Sequence, residues 1–228
     1  MAKHIGIVAC SAEGAALCYR TICSEASELM GRYEHPDITM HTFSFAAYVR
    51  LIEAGDWQGV ADLMVASANK VAETGADFAI CPDNTIHQPF DSVAARSPIP
   101  WLHIAGAVAD EAKRRGFGKI GVLGTRFLME GPVYADMLAS KGLEHVIPES
   151  EQRLEVNDTI FNELVFGRFT GEARQRFNRI IAGLAEKGCD AVVLGCTEIP
   201  LLVDESSPLP TLDSTRLLAR AALNAALV

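Results

Sequence analysis

The chain opens on a short apolar run, Ile5-Gly6-Ile7-Val8-Ala9-Cys10, and a run of the same character, Ile120-Gly121-Val122-Leu123-Gly124-Thr125, returns downstream. Short β-branched runs without polar alternation, closing in small residues, suit parallel strands buried on both faces. Two further segments match each other, Gly75-Ala76-Asp77-Phe78-Ala79-Ile80 and Gly188-Cys189-Asp190-Ala191-Val192-Val193. Each follows a helix-forming stretch that ends in Ala-Glu, at Ala72-Glu73 and Ala185-Glu186. A third pair carries Pro-x-Pro: Pro98-Ile99-Pro100-Trp101-Leu102 and Pro208-Leu209-Pro210-Thr211-Leu212. Both lead into Ala-rich helices, predicted over 104–115 and 214–227.

The same order of strand, helix, strand, helix, strand, helix therefore occurs twice. Spacings between the matched pairs differ slightly, as they do when a duplicated unit carries loops of different length. Alternating strands and helices predict the α/β class, with parallel sheets covered by helices. The expectation is two similar lobes related by an internal pseudo-twofold repeat, each a parallel sheet of about four strands flanked by helices. Residues 1–100 with 214–228 are assigned to the N-terminal lobe and 101–213 to the C-terminal lobe. Ligands of parallel α/β sheets bind beyond the carboxyl ends of the strands, which places the expected active site in a cleft between the lobes.

Composition narrows the function. The 228 residues are 49% hydrophobic and 21% charged, which supplies a core and excludes a disordered chain. With 20 basic against 29 acidic residues, a net charge of −9 and no run of Lys or Arg, nucleic acid is not an expected partner. No stretch approaches the ~20 apolar residues of a membrane span. Ile7-Val8-Ala9-Cys10 mimics a lipoprotein cleavage box, but the apolar stretch before it is too short for a signal peptide. The 6 cysteines include no C-x-x-C pair, so the reading is a cytoplasmic protein with reduced thiols and no metal site.

The repeat also selects chemistry. Overlaying Asp77 on Asp190 sets Asp83 against Cys196, each at the end of an apolar strand. Two ionisable side chains, one from each half, meet the demand of stereoinversion at a carbon acid: one base removes a proton while an acid delivers one to the opposite face. A strand end before a helix start is expected to favour the Cys196 thiolate. Cys18, Cys23 and Cys189 fall in helical or strand-start contexts and are read as inert. An unperturbed carboxyl and thiol differ by roughly 6 kcal/mol in proton affinity, so a pair that works in both directions needs that gap narrowed by its pocket.

The motifs carry a resemblance. Gly195-Cys196-Thr197-Glu198-Ile199-Pro200, backed by Gly121-Val122-Leu123-Gly124-Thr125, resembles the aspartate/glutamate racemase family, which includes hydantoin racemases, maleate isomerases and arylmalonate decarboxylases. The likeness covers essentially the whole chain. The family's first-half signature is Cys-Asn-Thr, a small residue and His; here it stands as Asp83-Asn84-Thr85-Ile86-His87, with Asp83 in place of the first cysteine. Cys81, two residues upstream, is the alternative thiol.

The resemblance implies an isomerase that racemises or epimerises an amino acid such as aspartate or glutamate without pyridoxal phosphate or any other cofactor. Asp83 and Cys196 are its expected acid/base pair. Asn84, Thr85 and Thr197 suit the substrate α-carboxylate; Thr125 matches a family position near it, and Ser11 is a further donor. His87 and Glu198 stand behind the pair, His87 for Asp83 and Glu198 for Cys196. Relatives that act on acidic amino acids use a basic residue before a glycine like Gly167; Leu164-Val165-Phe166-Gly167-Arg168 has no Lys there, leaving Arg168, Arg50 and Arg126 as candidates. A homodimer is implied by family analogy. Two other readings stay open: a single-thiol decarboxylase or cis–trans isomerase using Cys196, and a carboxylate-binding protein that has lost its chemistry.

Overall fold

A computed structural model describes residues 2–228 of the chain. In order, the elements are β1 (Ile5–Ala9), α1 (Ala12–Met30), β2 (Ile38–Thr42), α2 (Phe45–Glu53), α3 (Trp57–Glu73), β3 (Phe78–Ile80), α4 (Phe90–Arg96), β4 (Trp101–Leu102) and α5 (Ile104–Arg114). They continue as β5 (Lys119–Leu123), α6 (Arg126–Glu130), α7 (Pro132–Ser140), β6 (Glu144–Val146), α8 (Ser150–Asn162), α9 (Gly171–Glu186), β7 (Ala191–Leu194), α10 (Ile199–Leu202), β8 (Thr211–Asp213) and α11 (Ser214–Ala226). Short 3-10 turns occupy Thr85–His87 and Leu164–Phe166.

The chain divides into two compact units. One contains the residues up to Ile104 together with Thr215–Val228; the other is Ala105–Ser214. Each unit holds one parallel sheet of 4 strands, in the order β2-β1-β3-β4 in the first and β6-β5-β7-β8 in the second. The two sheets share one topology, as the sequence repeat predicts.

The matched residues do the same work in each unit. The Asp77 carboxylate accepts the His4 backbone N–H at 2.7 Å, and the Asp190 carboxylate accepts those of Gly118 and Lys119 at 2.7 and 2.9 Å. Each carboxylate thus ties the entry of a third strand to the entry of the first. The backbone repeats the tie: Asp77 N–H donates to His4 O and Asp190 N–H to Lys119 O, both at 2.8 Å. Pro100 and Pro210 accept from Ala79 and Val192, docking each Pro-x-Pro strand on its neighbour. A Cβ on Gly6 would lie 2.7 Å from Val71 of α3, and one on Gly121 would lie 2.8 Å from Leu184 of α9. In each sheet the first strand thus carries glycine where a side chain of the covering helix would have to shift to admit a Cβ.

The central strands β1, β3 and β7 are buried throughout, and β5 along all but its first residue, which accounts for their apolar runs. β2 and β6 are edge strands with largely accessible side chains, so they carry no such run and the sequence pattern does not mark them. Helix α3 packs Val60, Met64, Ala68 and Val71 onto the first sheet. Helix α9 packs Phe177, Ile180, Ile181 and Leu184 onto the second.

Candidate active site

In the first unit β3 ends at Ile80 and the chain turns through Cys81-Pro82-Asp83-Asn84 into the 3-10 turn. Asn84 precedes that turn and is buried; Thr85 begins it. His87, also buried, closes it from inside. Its Nδ1 lies 2.7 Å from Asp83 O, and the Ile104 backbone N–H points at its Nε2 at 3.4 Å. A carbonyl only accepts and an N–H only donates, so these partners define a neutral imidazole with its hydrogen on Nδ1. Burial, with the neighbouring His103 as second cause, holds His87 well below the usual imidazole range. Burial also brings His103 down to about 4, opposed by Asp91. His87 thus fixes the backbone of the turn at Asp83.

Two thiols meet the rest of Asp83. The Cys10 thiol, just past the end of β1, hydrogen-bonds the Asp83 side chain. The Asp83 backbone N–H donates to Cys81 Sγ. Both thiols are pushed well up, by burial first and by the charge of Asp83 second. Tyr48 of α2 is fully buried in the same cluster, and burial followed by Cys81, Cys10 and Asp83 raises its phenol.

In the second unit β7 ends at Leu194, and Gly195-Cys196-Thr197-Glu198 leads into α10. Gly195 N–H donates to Leu123 O at 2.7 Å, and a Cβ on Gly195 would stand 2.8 Å from that same carbonyl oxygen. Only glycine lets the turn lie this close to β5. Beyond it, Cys196 Sγ donates to Glu198 Oε2 at 2.9 Å, and Thr197 Oγ1 donates to the same oxygen at 2.9 Å. Thr197 and Glu198 are buried, Cys196 half-buried. The helix start that follows Cys196 spans only Ile199–Leu202, and the group facing the thiol at 2.9 Å is the Glu198 carboxylate.

Ser11 and Thr125 are engaged as helix caps. Ser11 Oγ accepts Gly14 N–H at the start of α1, and Thr125 Oγ1 accepts Leu128 N–H at the start of α6, both at 3.3 Å. Of the arginine candidates, Arg168 lies over the Phe166 ring at 5.7 Å, Arg126 over Phe127 at 5.8 Å, and Arg50 sits in the last turn of α2.

Several participants escaped the sequence reading. The sequence marks Cys10 as the end of a strand and of a lipoprotein-box mimic but not as a site residue, although its repeat mate Thr125 is a candidate and parallel pairing of β1 with β3 carries Cys10 toward Asp83. Tyr48 had no motif to mark it. In the second unit the Tyr134 hydroxyl hydrogen-bonds Ser214, whose Oγ donates to Leu194 O at 3.0 Å, bracing the strand end before Cys196. Among the described residues no three His, Cys, Asp or Glu side chains gather in a metal-binding arrangement, and no helix is long and apolar enough to cross a membrane.

Comparison with known proteins bears on the fold and the family. A structure from Yersinia pestis, described as a candidate Asp/Glu racemase, superposes with a TM-score of 0.92 at 34% identity, over 99% of this chain and 100% of that one. An aspartate racemase homologue from Pyrococcus horikoshii OT3 gives 0.86 at 29% identity, over 100% of both chains. A broad specificity amino-acid racemase of Bacillus subtilis (strain 168) is 24% identical over 165 residues, 71% of this chain and 70% of that protein. The profile of the Asp/Glu/hydantoin racemase family matches residues 6–222, a span that takes in both repeated sheets and both strand-end turns. By that match the chain belongs to the Asp/Glu/hydantoin racemase family.

Proposed function

We propose that the protein is a cofactor-independent amino-acid racemase or epimerase in which Asp83 and Cys196 exchange the α-proton of a small carboxylate substrate such as aspartate or glutamate. The observation that carries this reading is the Cys196 thiol donating to the buried Glu198 carboxylate at 2.9 Å, in the turn whose repeat mate in the other sheet holds Asp83. In one direction the Asp83 carboxylate takes the α-proton and the Cys196 thiol delivers a proton to the opposite face. The enzyme is left with a protonated Asp83 and a Cys196 thiolate, and the return direction uses the same groups in reverse. Between turnovers Glu198 supplies a carboxylate through which the Cys196 proton can pass. Backbone N–H groups of the two turns, with Asn84, Thr85, Thr125, Thr197 and Ser11, serve the substrate carboxylate.

A carboxyl and a thiol are unequal acids, so the two enantiomers are expected to turn over with different rate constants while obeying one equilibrium constant. The same proposal includes a cytoplasmic homodimer, which sedimentation of the purified protein tests. The decisive experiment incubates the protein with a panel of amino acids in D₂O and follows loss of the α-proton and of optical activity. Exchange with inversion supports the racemase. Carbon dioxide release from malonates without exchange favours the single-thiol decarboxylase, and carboxylate binding with neither reaction leaves a binding protein.

A further inference from the structure

Side chains of its own unit grip Asp83 at three different atoms. The carboxylate receives the Cys10 thiol, the backbone N–H is held by Cys81 Sγ, and the backbone carbonyl by His87 Nδ1 at 2.7 Å. Each grip comes from a different place: the end of β1, the end of β3 and the 3-10 turn. Below them lies Tyr48, whose hydroxyl is fully buried and finds no hydrogen-bond partner among the described residues. Cys10 and Cys81 are 3% and 0% exposed, so these contacts are made away from bulk water. A buried thiol, a buried thiol acceptor and an orphaned phenol around one carboxylate go beyond what a turn requires.

We propose that Cys10 is a positioning residue for Asp83: its thiol orients the carboxylate and, by donating to it, favours the ionised form that accepts the substrate proton. This rests on the reading of Asp83 as a proton carrier. The choice of a thiol has a physical reason. A hydrogen bond given to a carboxylate favours its charged form, and a strong donor would hold Asp83 ionised in both directions of the reaction. The S–H group is a weak donor, so it aims the carboxylate while leaving the protonated state accessible for the return direction. The titratable groups facing Asp83 within its unit are Cys10 from β1, Cys81 from β3, Tyr48 from α2 and His87 from the turn. Burial keeps the first three protonated and the imidazole neutral, so these four act on Asp83 through hydrogen bonds and dehydration rather than as ions.

The test is a carboxyl-carbon NMR titration of Asp83 in the full-length protein labelled at aspartate, assigned by its loss in Asp83→Asn. The midpoint should be lowest in Cys10→Ser, intermediate in the wild type and highest in Cys10→Ala, with steps on the order of half to one pH unit, the size of one neutral hydrogen bond. The acid limb of the kcat/KM profile, in the direction that uses Asp83 as base, should move in the same order. A purely structural Cys10 would change expression or Tm without ordering these midpoints. Three coincident midpoints overturn the inference. Should Cys10→Ala not fold, the Cβ resonance of Cys10 is titrated in Asp83→Asn instead. Its midpoint should fall once the carboxylate is gone, and an unchanged midpoint overturns the inference equally. Ordered midpoints in a protein that exchanges no amino-acid α-proton leave the Cys10–Asp83 coupling standing and overturn the racemase reading.

Discussion

Cys196 Sγ and Glu198 Oε2 lie 2.9 Å apart, and the same oxygen also receives the Thr197 hydroxyl. A half-buried thiol and a buried carboxylate two residues along the chain are thus hydrogen-bonded within one turn. Glu198→Gln keeps the shape of the side chain but removes its basicity. α-Proton exchange should fall by about 10²–10⁴-fold, the usual worth of a positioned acid–base group. Cys196→Ala should abolish inversion, and adding Glu198→Gln to it should cost nothing further, because residues that act as one unit are not additive. An additive double variant would separate the two roles.

Asp83→Asn preserves size and hydrogen bonding but cannot carry a proton. Racemisation of a confirmed substrate should drop by about 10²–10⁴-fold. Exchange of one enantiomer through Cys196, with retention, is expected to survive. Asp83→Cys should keep activity and bring the rate constants for the two enantiomers closer together, since two thiols match in acidity. Wild-type rates in Asp83→Asn would reduce Asp83 to a turn residue.

The repeat was legible because its strands are central. Ile5–Ala9 and Ala191–Leu194 are buried along their whole length, and a strand buried on both faces must be written in apolar residues. Edge strands Ile38–Thr42 and Glu144–Val146 carry polar and accessible positions, so their place in each sheet emerged only from the hydrogen-bond ladder. The Gly-Cys-Thr-Glu turn was readable as a motif, and the adjacency of Cys196 and Glu198 is a local property of that turn. Contacts between distant segments were not readable in this way. Apart from the repeat match of Cys10 to Thr125, nothing in the sequence joins Cys10 to Asp83, or Tyr48 to either, because those meetings depend on strand register and on how α2 leans against the sheet. His87 is expected from the motif to stand behind Asp83, and what it meets there is the backbone carbonyl of Asp83, which no residue type announces.

Gly195→Ala tests the close approach of the second turn. The added methyl would meet the Leu123 carbonyl oxygen at 2.8 Å, and backbone cannot swing aside as a flexible side chain can. Overpacking of this kind destabilises by about 1–3 kcal/mol. Urea denaturation should show that loss, and surviving folded protein should exchange α-protons more slowly because the turn bearing Cys196 has shifted. Gly171→Ala, where nothing lies near the added methyl, serves as the control.

Stability should fall on mild acidification. His87 is held well below the usual imidazole range and His103 at about 4, both chiefly by burial. The unfolded chain therefore binds these protons more readily than the native one. Their contribution is complete above pH ~6.5 and is lost as pH falls from there toward the folded-state values, at about 1.4 kcal/mol per pH unit for each histidine. Denaturant midpoints measured between about pH 7.5 and 5 should decline, and His103→Gln should remove close to one proton from the slope. A slope unchanged in that variant would show that His103 does not titrate on unfolding.

The division of the chain bears on how it is made. From Thr215 onward, helix α11 belongs to the first unit, where Lys3 N–H donates to Ala226 O at 2.8 Å and Arg220 grips Glu25 through two contacts of 2.8 Å. Domains are generally completed in the order of synthesis. Here that order is inverted. Residues 2–104 leave the ribosome before Ala105–Ser214, yet their unit lacks α11 until that whole stretch has been made, whereas Ala105–Ser214 is drawn from one continuous stretch and can close before α11 appears. The nascent first sheet therefore spends the synthesis of residues 105–214 without α11, the interval in which a chaperone that covers exposed apolar surface would have most to do.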